Sequence, residues 1–228
     1  MLALRVLTWN LMHGRAQPPA RRDLLPEFRA ALAGWEWDVA LLQEVPPRWA
    51  ARLGTALGAE YRNVLTSRSS LRAVRRAVAV RRPDLIKSNR GGANTILARH
   101  DRIVAERTQR LGWLPERRWA HAVRLACGIW VTNVHATAND ASAALRDGEL
   151  TAVRALQWAS GEPLVLGGDF NLREPAWPGL AHVAGHEVDH LFVASGLHAH
   201  GPAEVLDRGV LSDHSPLAAT VQRRDAGC

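Results

Sequence analysis

The chain has 228 residues, of which 47% are hydrophobic and 22% are charged, values typical of a folded globular protein. This composition excludes an intrinsically disordered or fibrous chain, and no apolar stretch approaches the roughly 20 residues that span a bilayer. Two cysteines, Cys127 and Cys228, are too few for a disulfide framework or a cysteine-rich zinc site. The formal net charge of +7 is the unusual feature.

The first quarter of the chain predicts strands and helices in alternation. Residues 4–10 alternate as a strand does, and residues 22–34 place apolar side chains on one face of a helix. Residues 39–43 form a short apolar run, which predicts a buried strand. A second helix is predicted over residues 49–57, and Gly58 ends it.

The rest of the chain is rich in predicted strands. Strands are expected at 62–67, 77–81, 94–99, 102–111, 119–126, 129–135, 163–167, 188–193 and 215–221. Cys127 and Gly128 predict a tight hairpin, and residues 141–159 give the longest helical pattern. No Pro/Gly-rich break interrupts this order, so we expect one domain over residues 1–222, a β-sandwich flanked by helices, and a flexible tail over 223–228.

The N-terminus predicts no secretory leader, because Met1 runs directly into a β-prone segment with Arg5 inside it. With few cysteines as well, we expect a cytoplasmic protein. No amphipathic membrane-binding helix is evident, so we expect no stable membrane association. We also expect a monomer.

Polar side chains stand where six apolar segments end or begin. They are Asn10, Glu44, His135, the pair Asp169 and Asn171, the pair Asp189 and His190, and the pair Asp213 and His214. A buried strand that stops in a charged group places that group at a sheet edge, where side chains from several strands can meet. Six such positions, built only from Asn, Asp, Glu and His, predict a functional site.

These residue types suit metal-assisted hydrolysis of phosphate esters. Hard carboxylate oxygens favour Mg²⁺ or Mn²⁺, and Mg²⁺ is usually held by one or two carboxylates together with water and substrate phosphate. Asn and His can donate hydrogen bonds to phosphoryl oxygens, and an Asp can orient a histidine or activate water. A metal ion would neutralise the charge that develops on the phosphate.

The ordered segments resemble the motifs of the endonuclease/exonuclease/phosphatase superfamily. They are TWN at 8–10, LLQEV at 41–45, VTNVHAT at 131–137, GGDFN at 167–171, VDHLF at 188–192 and SDHSP at 212–216. That superfamily includes deoxyribonuclease I, the exonuclease III-type abasic endonucleases, sphingomyelinases and inositol-polyphosphate 5-phosphatases. The resemblance covers residues 4–221 and implies an α+β fold, a deoxyribonuclease I-like four-layer sandwich of two mixed β-sheets packed face to face with helices outside.

The resemblance also implies a metal site and a set of catalytic residues. Glu44 matches the principal metal ligand, with Asn10 and Asp213 beside it, and the expected ion is Mg²⁺ or Mn²⁺. The implied catalytic residues include Asp169, which orients or deprotonates the attacking water, and Asn171, which holds phosphate or water. His214 is implied to contact phosphate, and Asp189 to orient His214. His135 is implied to contact phosphate or to assist the leaving group.

The chain departs from the family pattern in two places. Met12 stands where the abasic endonucleases carry an acidic residue, which weakens an abasic-site assignment. The interval between Asn171 and Asp189 is short for the family, so we expect an open or minimally decorated site. His13, three residues after Asn10, could also reach the site.

The positive charge is concentrated in residues 62–90, which carry nine basic residues against the single acid Asp84. The remaining chain is close to neutral. A GC-rich genome would account for arginine in place of lysine, but not for this local concentration. A basic patch attracts polyanions, and the candidate substrate-binding residues are Arg72, Arg75, Arg76, Arg81 and Arg82.

Two further groups of side chains leave alternatives open. Trp113, Trp119 and Trp177 could stack on a base or ring, or could be partly buried. The remaining histidines have no recognisable zinc-ligand spacing, so we expect them on exposed loops: His182, His186, His190, His198 and His200.

Three hypotheses follow for the function. The first is a divalent-metal-dependent phosphodiesterase that acts on nucleic acid as an endonuclease. The second keeps the chemistry with a phospholipid or phosphoinositide headgroup as substrate. The third is a catalytically inactive binding module, which the intact motifs argue against.

Overall fold

The computed structural model describes residues 3–66, 92–113 and 117–223, which build two β-sheets and three α-helices. The first sheet contains β1 (Ala3–Asn10), β2 (Val39–Val45), β3 (Glu60–Leu65), β4 (Ala93–Ala98), β11 (Leu197–Ala199), β12 (Glu204–Val205) and β13 (Leu217–Arg223). The second contains β5 (Ile103–Gly112), β6 (Arg118–Leu125), β7 (Trp130–His135), β8 (Leu164–Asp169), β9 (Ala181–His186) and β10 (Asp189–Ala194). The helices are α1 (Leu25–Gly34), α2 (Trp49–Leu57) and α3 (Ala141–Ala159).

Both sheets have a parallel pair of strands at their centre. The first sheet runs in the order β11-β13-β1-β2-β4-β3 and the second in the order β5-β6-β7-β8-β10-β9. The parallel pairs are β1 with β2 and β7 with β8, and the strands on either side of each pair are antiparallel to it. The side chain of Asn10 at the end of β1 donates to Asp169 at the end of β8, so the carboxyl ends of both parallel pairs lie at one edge of the sandwich. This is the edge where the polar segment ends were predicted to meet.

The hydrophobic core follows from the alternation of side chains along these strands. Val6 and Leu41 of the first sheet pack between the sheets against Val131, Val165 and Leu191 of the second. The opposite face of the first sheet packs against α1 and α2, and the outer face of the second packs against α3. This arrangement of helix, sheet, sheet and helix confirms the predicted four-layer α+β sandwich.

A buried polar contact joins the two sheets beneath that edge. Gln43 Nε2 donates to Asn133 Oδ1 at 2.8 Å, and Asn133 Nδ2 donates to the carbonyl oxygens of Leu42 and Thr95 at 3.0 and 3.1 Å. Buried amides cost stability unless they are hydrogen-bonded, so these bonds favour a single alignment of the sheets.

The predicted elements agree with the structure over most of the described chain. The predicted helices at 49–57 and 141–159 have the observed bounds. The first helix begins at Leu25 instead of residue 22, because Asp23 Oδ1 accepts the Leu25 amide and Pro26 lies in the first turn. Strands β9, β11 and β12 were not predicted. The predicted strand at 77–81 lies outside the described residues, as do residues 224–228 of the predicted tail.

The expectation of exposed loop histidines is wrong for four of the five, which lie in strands. His182 and His186 belong to β9, His198 belongs to β11, and His190 is buried in β10. His190 Nε2 lies 2.8 Å from the carbonyl oxygen of Leu172, and His182 Nε2 lies 3.1 Å from His190 Nδ1. Gly185 stands opposite His190 in the β9–β10 pair, where a side chain would collide with the imidazole ring.

Among the described residues, no helix has both the length and the apolar character needed to cross a membrane.

Candidate active site

Strands β1 and β2 bring Asn10 and Glu44 to the shared edge. Asn10 is buried; its Nδ2 donates to Asp169 Oδ2 at 2.9 Å and its Oδ1 accepts the Met12 amide at 2.9 Å. The ladder between β2 and β4 has a bulge between Leu42 and Val45, and Glu44 there has a φ of 51°. A bulge redirects a side chain, and Glu44 lies with its carboxylate 3.1 Å from His13 Nε2 and 3.9 Å from His135 Nε2.

Strands β7 and β8 place His135 beside Asp169, since the two residues are in register. His135 Nε2 lies 3.5 Å from Asp169 Oδ2, and both side chains are buried. The preceding Gly168 has a φ of 141°, and a Cβ there would overlap the Val134 carbonyl oxygen. Only glycine therefore lets β8 deliver Asp169 at this position.

Asn171 completes the turn after β8. Its amide N–H donates to Asp169 Oδ1 at 3.0 Å, and its Nδ2 donates to the carbonyl oxygen of Ala136 at 3.0 Å. The first contact is an Asx turn, which holds Oδ1 of the Asp169 carboxylate, and Oδ2 accepts the hydrogen bond from Asn10. The turn thus has a structural role and also orients the acid.

Asp189, Asp213 and His214 come from the antiparallel side of the site. Asp189 opens β10 directly opposite Asp169, and its Oδ2 lies 2.7 Å from His214 Nδ1. His214 Nε2 lies 3.9 Å from Asp169 Oδ2 and 4.0 Å from Asp213 Oδ1.

The backbone of His214 is anchored on both sides. Its carbonyl oxygen accepts the Trp9 indole N–H at 2.9 Å, and its amide donates to Ser212 Oγ at 3.1 Å. The Ser212 hydroxyl in turn donates to the Asn10 carbonyl oxygen at 2.6 Å. The loop before β13 is therefore tied to the end of β1, where Asn10 stands.

The protonation states differ between the two histidines. Burial opposes a charge on His214, but the hydrogen bond to Asp189 and the neighbouring carboxylates outweigh it and raise the pKa of His214 to about 9. Burial, aided by the nearby charges of Arg118, His13 and His214, holds the pKa of His135 well below its ordinary value. At neutral pH the site therefore holds a protonated His214 and a neutral His135.

The two buried carboxyls are also perturbed. Burial raises the pKa of Asp169, while the charge of His214 and the hydrogen bond from Asn10 oppose that rise. Burial raises the pKa of Asp189 to about 7, against the effect of its hydrogen bond with His214. Perturbed carboxyls beside a charged histidine are typical of sites that transfer protons.

The described residues contain one close cluster of possible metal ligands. Asp169, Asp189 and His214 offer ligand atoms that lie within 4.8 Å of one another. Asp189 and the protonated His214 already bind each other in that group, which makes it a hydrogen-bonded relay. Glu44 and Asp213 have partly exposed carboxylates, with 23% and 45% of the side chain accessible. Carboxylates open to water fit an ion that retains several of its waters.

All eight predicted catalytic and metal residues lie in one connected network. They are Asn10, Glu44, His135, Asp169, Asn171, Asp189, Asp213 and His214. His13, which could only be named as within reach, is 3.1 Å from Glu44. Arg118 was missed, because its nearness to His135 and Asp169 comes from the antiparallel β6–β7 pairing and from no local motif.

The five arginines proposed as substrate-binding residues, Arg72, Arg75, Arg76, Arg81 and Arg82, lie outside the described residues. The described residues on either side of that segment are close together, because the Thr66 amide donates to the Gly92 carbonyl oxygen at 2.9 Å. A Cβ on Gly92 would lie 3.5 Å from Glu44 Cα and 3.4 Å from the His13 ring. Thr66 and Gly92, the described residues on either side of the five arginines, therefore lie near Glu44.

Comparison with known proteins gives a consistent result. A model of the endonuclease/exonuclease/phosphatase family matches residues 7–214. No curated protein sequence matches the chain.

Three solved structures illustrate the similarity of the fold. An endonuclease/exonuclease/phosphatase from Beutenbergia cavernae is 18% identical with a TM-score of 0.72, over 99% of this chain and 73% of that one. The mannosyl-6-phosphatase Bt3783 of Bacteroides thetaiotaomicron is also 18% identical, with a TM-score of 0.71 over 96% and 99% of the two chains. A humanized D. rerio TDP2 is 15% identical, with a TM-score of 0.69 over 96% and 99%.

Proposed function

Because this chain belongs to the endonuclease/exonuclease/phosphatase family, we propose that it is a divalent-metal-dependent phosphodiesterase that cleaves nucleic acid as an endonuclease. The observation that carries the proposed chemistry is the position of Asp169 between a neutral His135 at 3.5 Å and a protonated His214 at 3.9 Å. This arrangement supports a mechanism in which Asp169 accepts a proton from water while the His214 cation donates to a phosphoryl oxygen.

His214 is the proposed phosphate-binding cation. Its Nδ1–H donates to Asp189, and its Nε2 lies 3.9 Å from Asp169 and 4.0 Å from the partly exposed Asp213. A charged donor fixed before the substrate arrives stabilises the charge that builds on the phosphoryl oxygens without reorganising. Asp189 is the positioning residue that maintains this orientation.

Asp169 is the proposed acceptor of the water proton. Asn10 and the Asn171 amide hold its two oxygens in place, and His135 presents a neutral imidazole to the same carboxylate. A fixed carboxylate with a raised pKa can align water for attack on phosphorus and accept its proton.

Glu44, with Asn10 and Asp213, is the proposed site for Mg²⁺ or Mn²⁺. The partly exposed Glu44 carboxylate is a hard oxygen donor, and it faces the same edge as the rest of the network. When bound, the ion supplies positive charge that stabilises the phosphorane-like transition state.

Nucleic acid is the proposed substrate because Thr66 and Gly92, the described residues on either side of the five arginines, lie near Glu44. A segment with nine basic residues and one acid neutralises several phosphates of a polyanion. A free inositol phosphate presents far fewer phosphates to such a segment.

Nicking of supercoiled plasmid tests this proposal. We expect nicking with Mg²⁺ or Mn²⁺, loss of nicking in EDTA, and at least about a hundredfold loss in Asp169→Ala and His214→Ala. Glu149→Ala and His100→Ala are matched controls, since both side chains are exposed and distant from the site, and they should nick at the wild-type rate. Wild-type nicking that survives in both site variants would contradict the proposed mechanism.

A further inference from the structure

Trp113 is the most exposed aromatic side chain among the described residues. It is 56% accessible, compared with 37% for Tyr61, the next in order. The other two tryptophans considered for stacking differ from it, because Trp177 is buried and Trp119 is partly buried. An indole that is exposed to solvent at the end of a strand does not contribute to the core, and exposed apolar surface of this kind is typical of binding sites.

Two arginines accompany the exposed indole. The Arg110 guanidinium lies over the Trp113 ring at 3.5 Å from its centroid, and the Arg117 guanidinium lies at 5.9 Å. Neither arginine forms an ion pair with another residue in the part of the chain that the structure describes. Residues 108–113 and Trp119 line a surface cavity of about 480 Å³, within the range of ligand pockets.

This group of side chains lies at the same edge as the catalytic network. Gly112 pairs with Arg118 where β5 and β6 meet, and Arg118 is the buried cation that acts on His135 and Asp169. The Arg117 amide donates to the Thr66 carbonyl oxygen at 3.2 Å, and Thr66 is bonded to Gly92 beside Glu44. Arg117, one of the two arginines beside the indole, therefore connects this group to Thr66 and Gly92, which lie near Glu44.

We propose that Trp113, Arg110 and Arg117 form a subsite that stacks one unpaired nucleobase and binds an adjacent phosphate. This inference rests on the proposed nuclease function and narrows its substrate to single-stranded or locally unpaired nucleic acid. A flat ring beside two guanidinium groups matches a base and its phosphate, because bases stack on indoles and arginine binds phosphate by paired hydrogen bonds.

A lipid surface fits this subsite less well. An aromatic anchor in a membrane is normally accompanied by other exposed apolar side chains. The other large exposed hydrophobic side chains of the described fold lie elsewhere, for example Val104 at the far end of β5 and Leu145 and Val153 on α3. The guanidinium stacked on Trp113 would also have to enter the bilayer.

Fluorescence anisotropy with a labelled single-stranded oligonucleotide tests the subsite, in EDTA so that no cleavage occurs. The wild-type protein, Trp113→Ala and Trp113→Phe are compared on a normal oligonucleotide and on one of equal length in which abasic residues replace the nucleotides. Val104→Ala is the control, since it removes an exposed apolar side chain from the same strand, far from the site.

We expect Trp113→Ala to bind the normal oligonucleotide about tenfold more weakly than the wild type, and Trp113→Phe to recover most of that loss. The abasic oligonucleotide should bind the wild type and Trp113→Ala equally, because it keeps the phosphates and lacks the bases. If Trp113→Ala weakened binding equally on both oligonucleotides, or on neither, the proposed subsite would be overturned. The proposed nuclease function would not be affected by that result. A loss of binding to phosphatidylserine vesicles in Trp113→Ala, without loss on DNA or RNA, would also overturn it. Absence of any nicking by the wild type would instead refute the proposed function.

Discussion

Asp189→Asn tests the role of the His214–Asp189 pair most sharply, because it changes charge with almost no change in shape. Asn can still accept the His214 Nδ1 hydrogen bond, which measures 2.7 Å in the wild type. The negative charge that helps raise the pKa of His214 to about 9 is lost. Burial then dominates, and we expect the pKa of His214 to fall to about 6.5 or below.

The size of the effect follows from the protonated fraction of His214. With a pKa of about 9, roughly nine-tenths of the wild-type protein carries the cation at pH 8. With a pKa of about 6.5, only about 3% of the variant does so. If the cation is needed for turnover, the variant should be about thirtyfold slower than the wild type at pH 8 and within about twofold of it at pH 6. The sign is fixed by the raised pKa, since the cation is present at low pH and is lost as the pH rises through about 9.

The assay is the ratio of variant to wild-type nicking rates from pH 6 to pH 9, measured with the same metal concentration. Titration of the His214 Cε1 resonance in both proteins reports the pKa directly and requires no turnover. A rate ratio that does not change with pH, or an unchanged His214 titration in the variant, would refute the reasoning.

Three further substitutions test the scaffold and the metal site. Gly168→Ala should lower the free energy of unfolding by about 3 kcal/mol or more, because the added Cβ would overlap the Val134 carbonyl oxygen. The melting temperature should fall by about 10 °C. An unchanged melting temperature would contradict this close approach. Asn133→Ala should lower the free energy of unfolding by about 3 kcal/mol in chemical denaturation, because buried groups on Gln43, Leu42 and Thr95 lose their hydrogen-bond partner. A loss below about 1 kcal/mol would show that water replaces the amide. In the wild type we expect about 1 mM Mn²⁺ to raise the melting temperature, and Glu44→Gln should remove that rise. Glu149→Gln is the control and should keep it. A full rise in Glu44→Gln would show that the ion binds elsewhere.

The sequence was informative about the strands that build the site, because buried strands leave an unmistakable apolar run. The run before Asn10 and the run before Asp169 both predicted strands that the structure contains, and the polar residues that end them lie 2.9 Å apart. Helix α3 was equally clear, since it has 19 residues of helical periodicity and an Asp140 side chain that caps its first turn.

The remaining features depend on contacts between distant segments. The bulge that redirects Glu44 has no local signature, and the position of Arg118 follows from the pairing of β6 with β7. His190 was expected to be exposed although it lies in the predicted strand 188–193, because its burial depends on the space opposite Gly185, which only the β9–β10 pairing creates. Short strands such as β12, with two residues, are too brief for a period to be read.

The most direct test of the account is a substrate panel with one preparation of wild-type protein and a titration of Mg²⁺ and Mn²⁺. The panel contains supercoiled plasmid, single-stranded DNA and RNA, vesicles that carry a phospholipid or phosphoinositide headgroup, and a bis-aryl phosphodiester. We predict metal-dependent cleavage inside the nucleic acid chain, at rates far above those on lipid. Headgroup release from the vesicles without any nicking of nucleic acid would contradict the account.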